Sequence, residues 1–233
     1  MRHPEAPELS DLIVMMAHDL KNPLAALTTN LHFLQGAEGE REQDAIDALG
    51  DSVTLCEVLE RFFRNLDLLG RRQKLVPRRQ SVSAFALAHE AVTRARGHAA
   101  SSGVEIQLEG DGESTPAAFV DRDLFCRAIE NVIANALESA PTGSIVSVKV
   151  SGEGTEPTIL VTDAREGPPP LKALDGGGLA FDGPGAAKRL QGLYGRGLAL
   201  LCADVAAHAS GARLEIDGEP RACRIRLIAA AAA

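Results

Sequence analysis

The stretch Met16-Ala17-His18-Asp19-Leu20-Lys21-Asn22-Pro23-Leu24 lies inside a longer run whose apolar residues recur at Leu9, Ile13, Met16, Leu20, Leu27, Leu31 and Leu34. Steps of mostly four and three residues mark a helix that buries one narrow stripe against other helices. With Met16 and Leu20 on the stripe, His18 is expected on the opposite, wet face, beside Asp19 and one turn before Asn22. A lone surface histidine is ordinary. An exposed imidazole beside a carboxylate is a plausible nucleophile, because the carboxylate accepts the ring proton and holds the tautomer.

Working outward, Ser10 is a good N-cap, so this helix is expected to run from about residue 10 to about 35. Pro23 within it should kink it or remove one hydrogen bond. A turn at Gly36-Ala37-Glu38-Gly39 leads to a second stripe, Ile46, Leu49, Val53, Cys56, Leu59, Phe63, Leu66 and Leu69, closed by Gly70. Two long helices joined by a short polar turn form an αα-hairpin. A lone hairpin cannot cover both stripes, so a homodimer forming a four-helix bundle is expected.

Beyond the basic stretch Arg71-Arg72-Gln73-Lys74 and Pro77-Arg78-Arg79, read as a solvated connector, the pattern mixes helix and strand. Helices are expected over 84–100, 121–140 and 198–209, strands over 104–108, 145–150, 158–162, 214–216 and 223–228, and a long loop over about 164–192. The fold class is therefore α+β, a long helical hairpin followed by an α/β sandwich. The expected division is 1–70, a linker at 71–79, and 80–233.

The chain has 233 residues, no Trp, one Tyr and seven Phe, so its core must come from Leu, Val, Ile and Ala. A net charge of −8 argues against non-specific binding to nucleic acid or an anionic membrane. Cys56, Cys126, Cys202 and Cys223 form no CxxC pair and are expected as small buried hydrophobes in a reducing cytosol. Residues 1–8 lack the apolar core of a signal peptide, and no run approaches the roughly 20 apolar residues of a membrane span. A soluble, cytoplasmic protein is expected.

Three further motifs carry chemistry. Asn131 and Asn135 share one helix face, although Asn is a poor residue for a helix interior. An amide oxygen is a hard donor suited to Mg²⁺, which binds phosphates with few protein ligands. Val161-Thr162-Asp163 ends a strand and leads into Ala164-Arg165-Glu166-Gly167-Pro168-Pro169-Pro170. Gly195-Arg196-Gly197-Leu198-Ala199-Leu200 opens the last helix, where glycines expose backbone N–H groups to a phosphate.

Taken in order, these motifs resemble the H, N, G1 and G2 boxes of the sensor histidine kinases, over about Leu9 to Leu227. The resemblance implies a dimerisation and phosphotransfer hairpin followed by a Bergerat-type ATP-binding domain. It also implies that His18 is phosphorylated from ATP, with Asp19 taking its proton. Asn22 would position water for dephosphorylating a response regulator. Asn131 and Asn135 would hold Mg²⁺ and phosphate, Asn135 as the metal ligand. Asp163 would accept from the adenine amino group, and Gly167, Gly195 and Gly197 would admit the nucleotide.

The implied partners are a response-regulator receiver domain, whose aspartate takes the phosphoryl group, a second copy of the chain, and a separate sensor protein. No partner nucleic acid or membrane is implied. The chain departs from the family at the first G1 glycine, replaced by Arg165, at the third G2 glycine, replaced by Ala199, and at Glu138, where many members have Lys. Arg165 could fill part of the adenine pocket or swing out to bind phosphate. It therefore keeps alive an alternative, a histidine phosphotransfer protein with a kinase-like fold and an inactive nucleotide site. A purely structural dimeric scaffold would leave His18, Asp19 and Asn22 unexplained.

Overall fold

The computed structural model describes residues 9–36, 42–152, 156–165, 171–174, 178–181, 194–219 and 222–232. Helix α1 (Leu9–Gly36) continues through Pro23 and lies against α2 (Glu42–Arg71), as the two stripes require. A 3-10 turn (Arg72–Lys74) leads to β1 (Arg79–Val82), α3 (Ala84–Ser101), β2 (Glu105–Glu109), β3 (Ala118–Asp121) and α4 (Arg122–Ser139). Then come β4 (Ile145–Ser151), β5 (Thr158–Asp163), β6 (Leu171–Leu174), β7 (Gly178–Phe181), α5 (Tyr194–Ser210), β8 (Ala212–Glu219) and β9 (Ala222–Ala229).

Caps fix the helix starts. The Ser83 hydroxyl accepts from the Ala86 N–H at 3.1 Å to open α3, and the Asp121 carboxylate accepts from Leu124 N–H at 3.1 Å to open α4. The second Asp121 oxygen accepts from Arg78 N–H at 2.6 Å, tying the connector to the same helix start. Helix α5 ends at Gly211, whose φ of +100° terminates the helix in a conformation that favours glycine.

The main sheet has five strands in the order β2-β4-β5-β9-β8, with β2 and β4 parallel and the other pairs antiparallel. Strands β1 and β3 form a separate antiparallel pair, which the sequence patterns did not signal at four residues each. The expected long loop over 164–192 is corrected as well, since it contains the antiparallel pair β6–β7. Alternation is regular where the sheet is half-covered. In β5, Ile159, Val161 and Asp163 face the core, while Thr158, Leu160 and Thr162 are half-buried on the other face.

Helices α3, α4 and α5 cover the inner face of this sheet. Their small residues, Ala88, Ala91, Ala128, Ala203, Ala206 and Ala207, let the layers approach closely around Phe125, Ile129, Ile133, Leu200 and Leu227. Every residue from Asn131 to Leu137 is buried, so this part of α4 is enclosed on all sides. Cys126, Cys202 and Cys223 are buried as expected, but Cys56 is exposed, because its position on α2 faces away from the core.

The second hairpin helix does more than pair with the first. Its C-terminal half reaches into the layer of α4 and α5, where Leu68 is 1% exposed within the common core. Its N-terminal half leaves Ile46, Leu49 and Val53 exposed, with Phe63 exposed further along.

Candidate nucleotide and phosphotransfer site

Asp163 is the last residue of the central strand β5 and continues the inward-facing row of Ile159 and Val161. It therefore brings a carboxylate to a position that is 2% exposed, and a buried charge needs a partner. Arg165, two residues on and 6% exposed, supplies it. The Arg165 backbone N–H donates to Asp163 Oδ1 at 3.0 Å, an Asx-type turn that folds the side chain back. Its Nε donates to Oδ1 at 2.8 Å and to Oδ2 at 3.0 Å, and its Nη2 donates to Oδ2 at 2.5 Å.

The same Nη2 reaches across to α4 and donates to Asn135 Oδ1 at 2.8 Å. Sequence reasoning left Arg165 between filling the pocket and swinging out to phosphate. The fold places it inward, on the two residues expected to read the base and hold the metal. Cys223 lies opposite Asp163 in the β5–β9 register. Burial pushes its thiol up to about 11, so it stays neutral and adds no charge there.

One turn earlier on α4, Asn131 is engaged by the hairpin. Asn65 Nδ2 donates to Asn131 Oδ1 at 2.6 Å, and Asn131 Nδ2 returns the bond to Asn65 Oδ1 at 2.9 Å. Asn131 Nδ2 also donates to Arg127 O at 3.0 Å. Asn65 was not anticipated from the sequence. Its signal was an amide on the α2 face between Phe62, Leu66 and Leu69, a poor helix residue with no obvious local role.

Two more contacts line the same junction. Arg61 Nη2 pairs with Glu138 Oε1 at 2.8 Å, and Arg127 Nη1 donates to Arg64 O at 3.4 Å. Glu138, which stands where many family members have Lys, thus serves the hairpin junction. Beside it, α2, α3 and α4 enclose a cleft of about 420 Å³, lined among others by Glu57, Arg61, Arg64, Arg94, His98 and Glu130. Arg94 is already paired with Glu130 and Glu90, which raises its pKa. Burial, and then Arg61, lower the pKa of His98.

The other expected residues lie apart from this cluster or outside the described residues. His18 and Asp19 belong to α1, and their side chains, on which the wet-face expectation bears, lie outside the described ones. Asn22 is exposed on α1. Gly195 and Gly197 fall in the first turn of α5, and Gly167 lies outside the described residues. Asn131, Asn135 and Asp163 are the expected site residues that the fold brings together. As they stand they do not fit Mg²⁺·ATP, because Arg165 and Asn65 hold the groups that a base and a metal would use.

No family model matches the chain. It is 28% identical over 200 residues to the sensor-like histidine kinase SenX3 of Mycobacterium tuberculosis, covering 82% of this chain and 46% of that protein. The chain thus spans about half the length of the curated relatives it matches. In structure it resembles the Acinetobacter baumannii histidine kinase AdeS at a TM-score of 0.56, with 13% identity, 93% of this chain and 98% of that chain covered. A bacterial phosphotransferase shares the fold at a TM-score of 0.50, with 12% identity and coverage of 97% and 100%. The chain has the mixed α+β fold of the histidine-kinase catalytic core, with a Bergerat-type sandwich. Its sequence relatives are sensor histidine kinases.

Proposed function

We propose that this chain is a two-component histidine kinase core that carries a phosphoryl group on His18 and passes it to an aspartate of a response-regulator receiver domain. The relatives support a kinase at family level. The observation that carries the reading is the meeting of Asn135 and Asp163 through Arg165, with Asn131 one turn earlier on α4, residues that the family order of motifs assigns to one site. Residues 1–70 would form the phosphotransfer hairpin, 71–79 the linker and 80–233 the nucleotide-binding part. Two copies would close a four-helix bundle. We place the protein in the cytoplasm. Among the described residues no helix is long and apolar enough to cross a membrane.

Mg²⁺·ATP would be the phosphoryl donor, at a site opened by withdrawal of Arg165. In the autophosphorylation step Asp19 takes the ring proton of His18, and the imidazole nitrogen attacks the γ-phosphorus of ATP as its bond to the bridging oxygen breaks and ADP leaves. Asn22 positions water that hydrolyses the phosphoryl group from the response regulator's aspartate. A second reading is favoured by one observation, the closed Arg165–Asp163–Asn135 cluster. In it the chain is a histidine phosphotransfer protein that takes its phosphoryl group from one receiver and gives it to another.

Purified protein incubated with γ-labelled ATP and Mg²⁺, and separately with a phosphorylated receiver, tests both. Acid-labile label from ATP that His18→Gln abolishes supports the kinase. Label only from the receiver supports the phosphotransfer protein, and undiminished labelling of the His18→Gln variant overturns both.

A further inference from the structure

We propose that Arg165 is a built-in competitor for the nucleotide base, which closes the site until it is displaced. The inference rests on the reading of Asp163 and Asn135 as nucleotide-site residues. It starts from acceptor capacity. An ionised carboxylate offers about four lone-pair positions on two oxygens. In Asp163 the Arg165 backbone N–H donates to Oδ1, Nη2 donates to Oδ2, and the single Nε N–H is shared between the two oxygens, at 2.5 to 3.0 Å. The guanidinium lies across both oxygens, where the amino group of a base would have to approach. On the facing helix Asn135 Oδ1, the expected metal ligand, accepts from the same guanidinium at 2.8 Å. One planar fork therefore covers both positions at once.

Burial makes the closure effective. Asp163 and Arg165 are 2% and 6% exposed, so a ligand cannot share the carboxylate with the guanidinium and must replace it. The guanidinium neutralises a buried charge, whereas the amino group of a base is a neutral donor. Exchange of one for the other leaves the carboxylate less well compensated, which favours the closed form when no nucleotide is present. The device is local. The backbone turn from Asp163 to Arg165 fixes the side chain's origin two residues from its target, so closure costs little chain ordering. A glycine at position 165 would leave the carboxylate open.

The test is binding of Mg²⁺·ATP and of Mg²⁺·tripolyphosphate to the full chain by calorimetry, for the parent, Arg165→Gly and Arg165→Gln. The glycine variant should bind Mg²⁺·ATP about tenfold tighter or better, and the glutamine variant, which keeps a single amide donor, should gain less. The gain should be larger for ATP than for tripolyphosphate, which has no base. Without ligand, both variants should melt below the parent, and ATP should restore the loss. Cooperative melting shows which variants fold, and the glutamine variant carries the test if the glycine variant does not. A folded variant that binds ATP no tighter than the parent overturns the proposal, as does an equal gain for both ligands. Labelling of His18 from a phosphorylated receiver, measured on the same preparations, needs no nucleotide and reports separately on the phosphotransfer reading.

Discussion

Asn65 of the hairpin and Asn131 of α4 exchange two side-chain hydrogen bonds, at 2.6 and 2.9 Å, across 66 residues of sequence. They are 5% and 1% exposed, so each amide depends on the other for partners that water cannot replace. Asn65→Ala should therefore destabilise the chain by about 2 kcal/mol, the cost of leaving a buried amide short of a partner. In a double-mutant cycle with Asn131→Ala, urea denaturation should show a coupling of about 1 kcal/mol. Additive losses would mean that the two amides do not support one another.

Leu68 is the apolar counterpart of that contact. It is 1% exposed and sits among core residues of the sandwich, although it belongs to the hairpin helix. Leu68→Ala should cost about 3 kcal/mol, the usual scale for a truncated buried leucine. A change below about 1 kcal/mol in denaturant midpoint analysis would show that α2 does not seat there in solution.

The exposed apolar row of the hairpin leads to an expectation about assembly. Ile46, Leu49 and Val53 are 55%, 56% and 53% exposed in the single chain, an arrangement that a second hairpin would cover. Light scattering at micromolar concentration should give twice the chain mass. The double variant Ile46→Glu/Leu49→Lys should give the chain mass with its sandwich still folded by circular dichroism. A monomeric parent would contradict the bundle.

His98 gives a pH expectation. Burial and the Arg61 guanidinium hold it below the ordinary imidazole value of 6.5, against smaller opposing pulls from Glu138 and Glu57. The unfolded chain then takes up a proton before the folded one does as pH falls. The stability contributed by neutral His98 is present above pH 6.5 and drains as pH falls from there toward its lowered folded value. Between about pH 7.5 and about pH 5 the parent should lose more stability than His98→Gln. Equal losses in the two proteins would place His98 in open solvent.

Local pattern alone determined much of this protein. The apolar stripes set α1 and α2 to within a few residues, because helix periodicity needs no partner to be visible. The same logic put Asn131 and Asn135 on one face of a buried helix and Asp163 at the end of a strand. The order of motifs pointed to the histidine-kinase core, whose fold the structure has. Strands β1, β3, β6 and β7 escaped it. At four residues each they carry too little alternation to stand out, and only pairing stabilises them.

The state of the site belonged to the tertiary structure. Whether Arg165 turns inward or outward depends on a carboxylate at the end of β5 and an amide 30 residues earlier on α4. Whether Asn131 faces a ligand or the hairpin depends on Asn65, which approaches it only when the C-terminal half of α2 packs against the sandwich. Burial decided both, since a charge or an amide withdrawn from water takes the nearest partner the assembled fold provides.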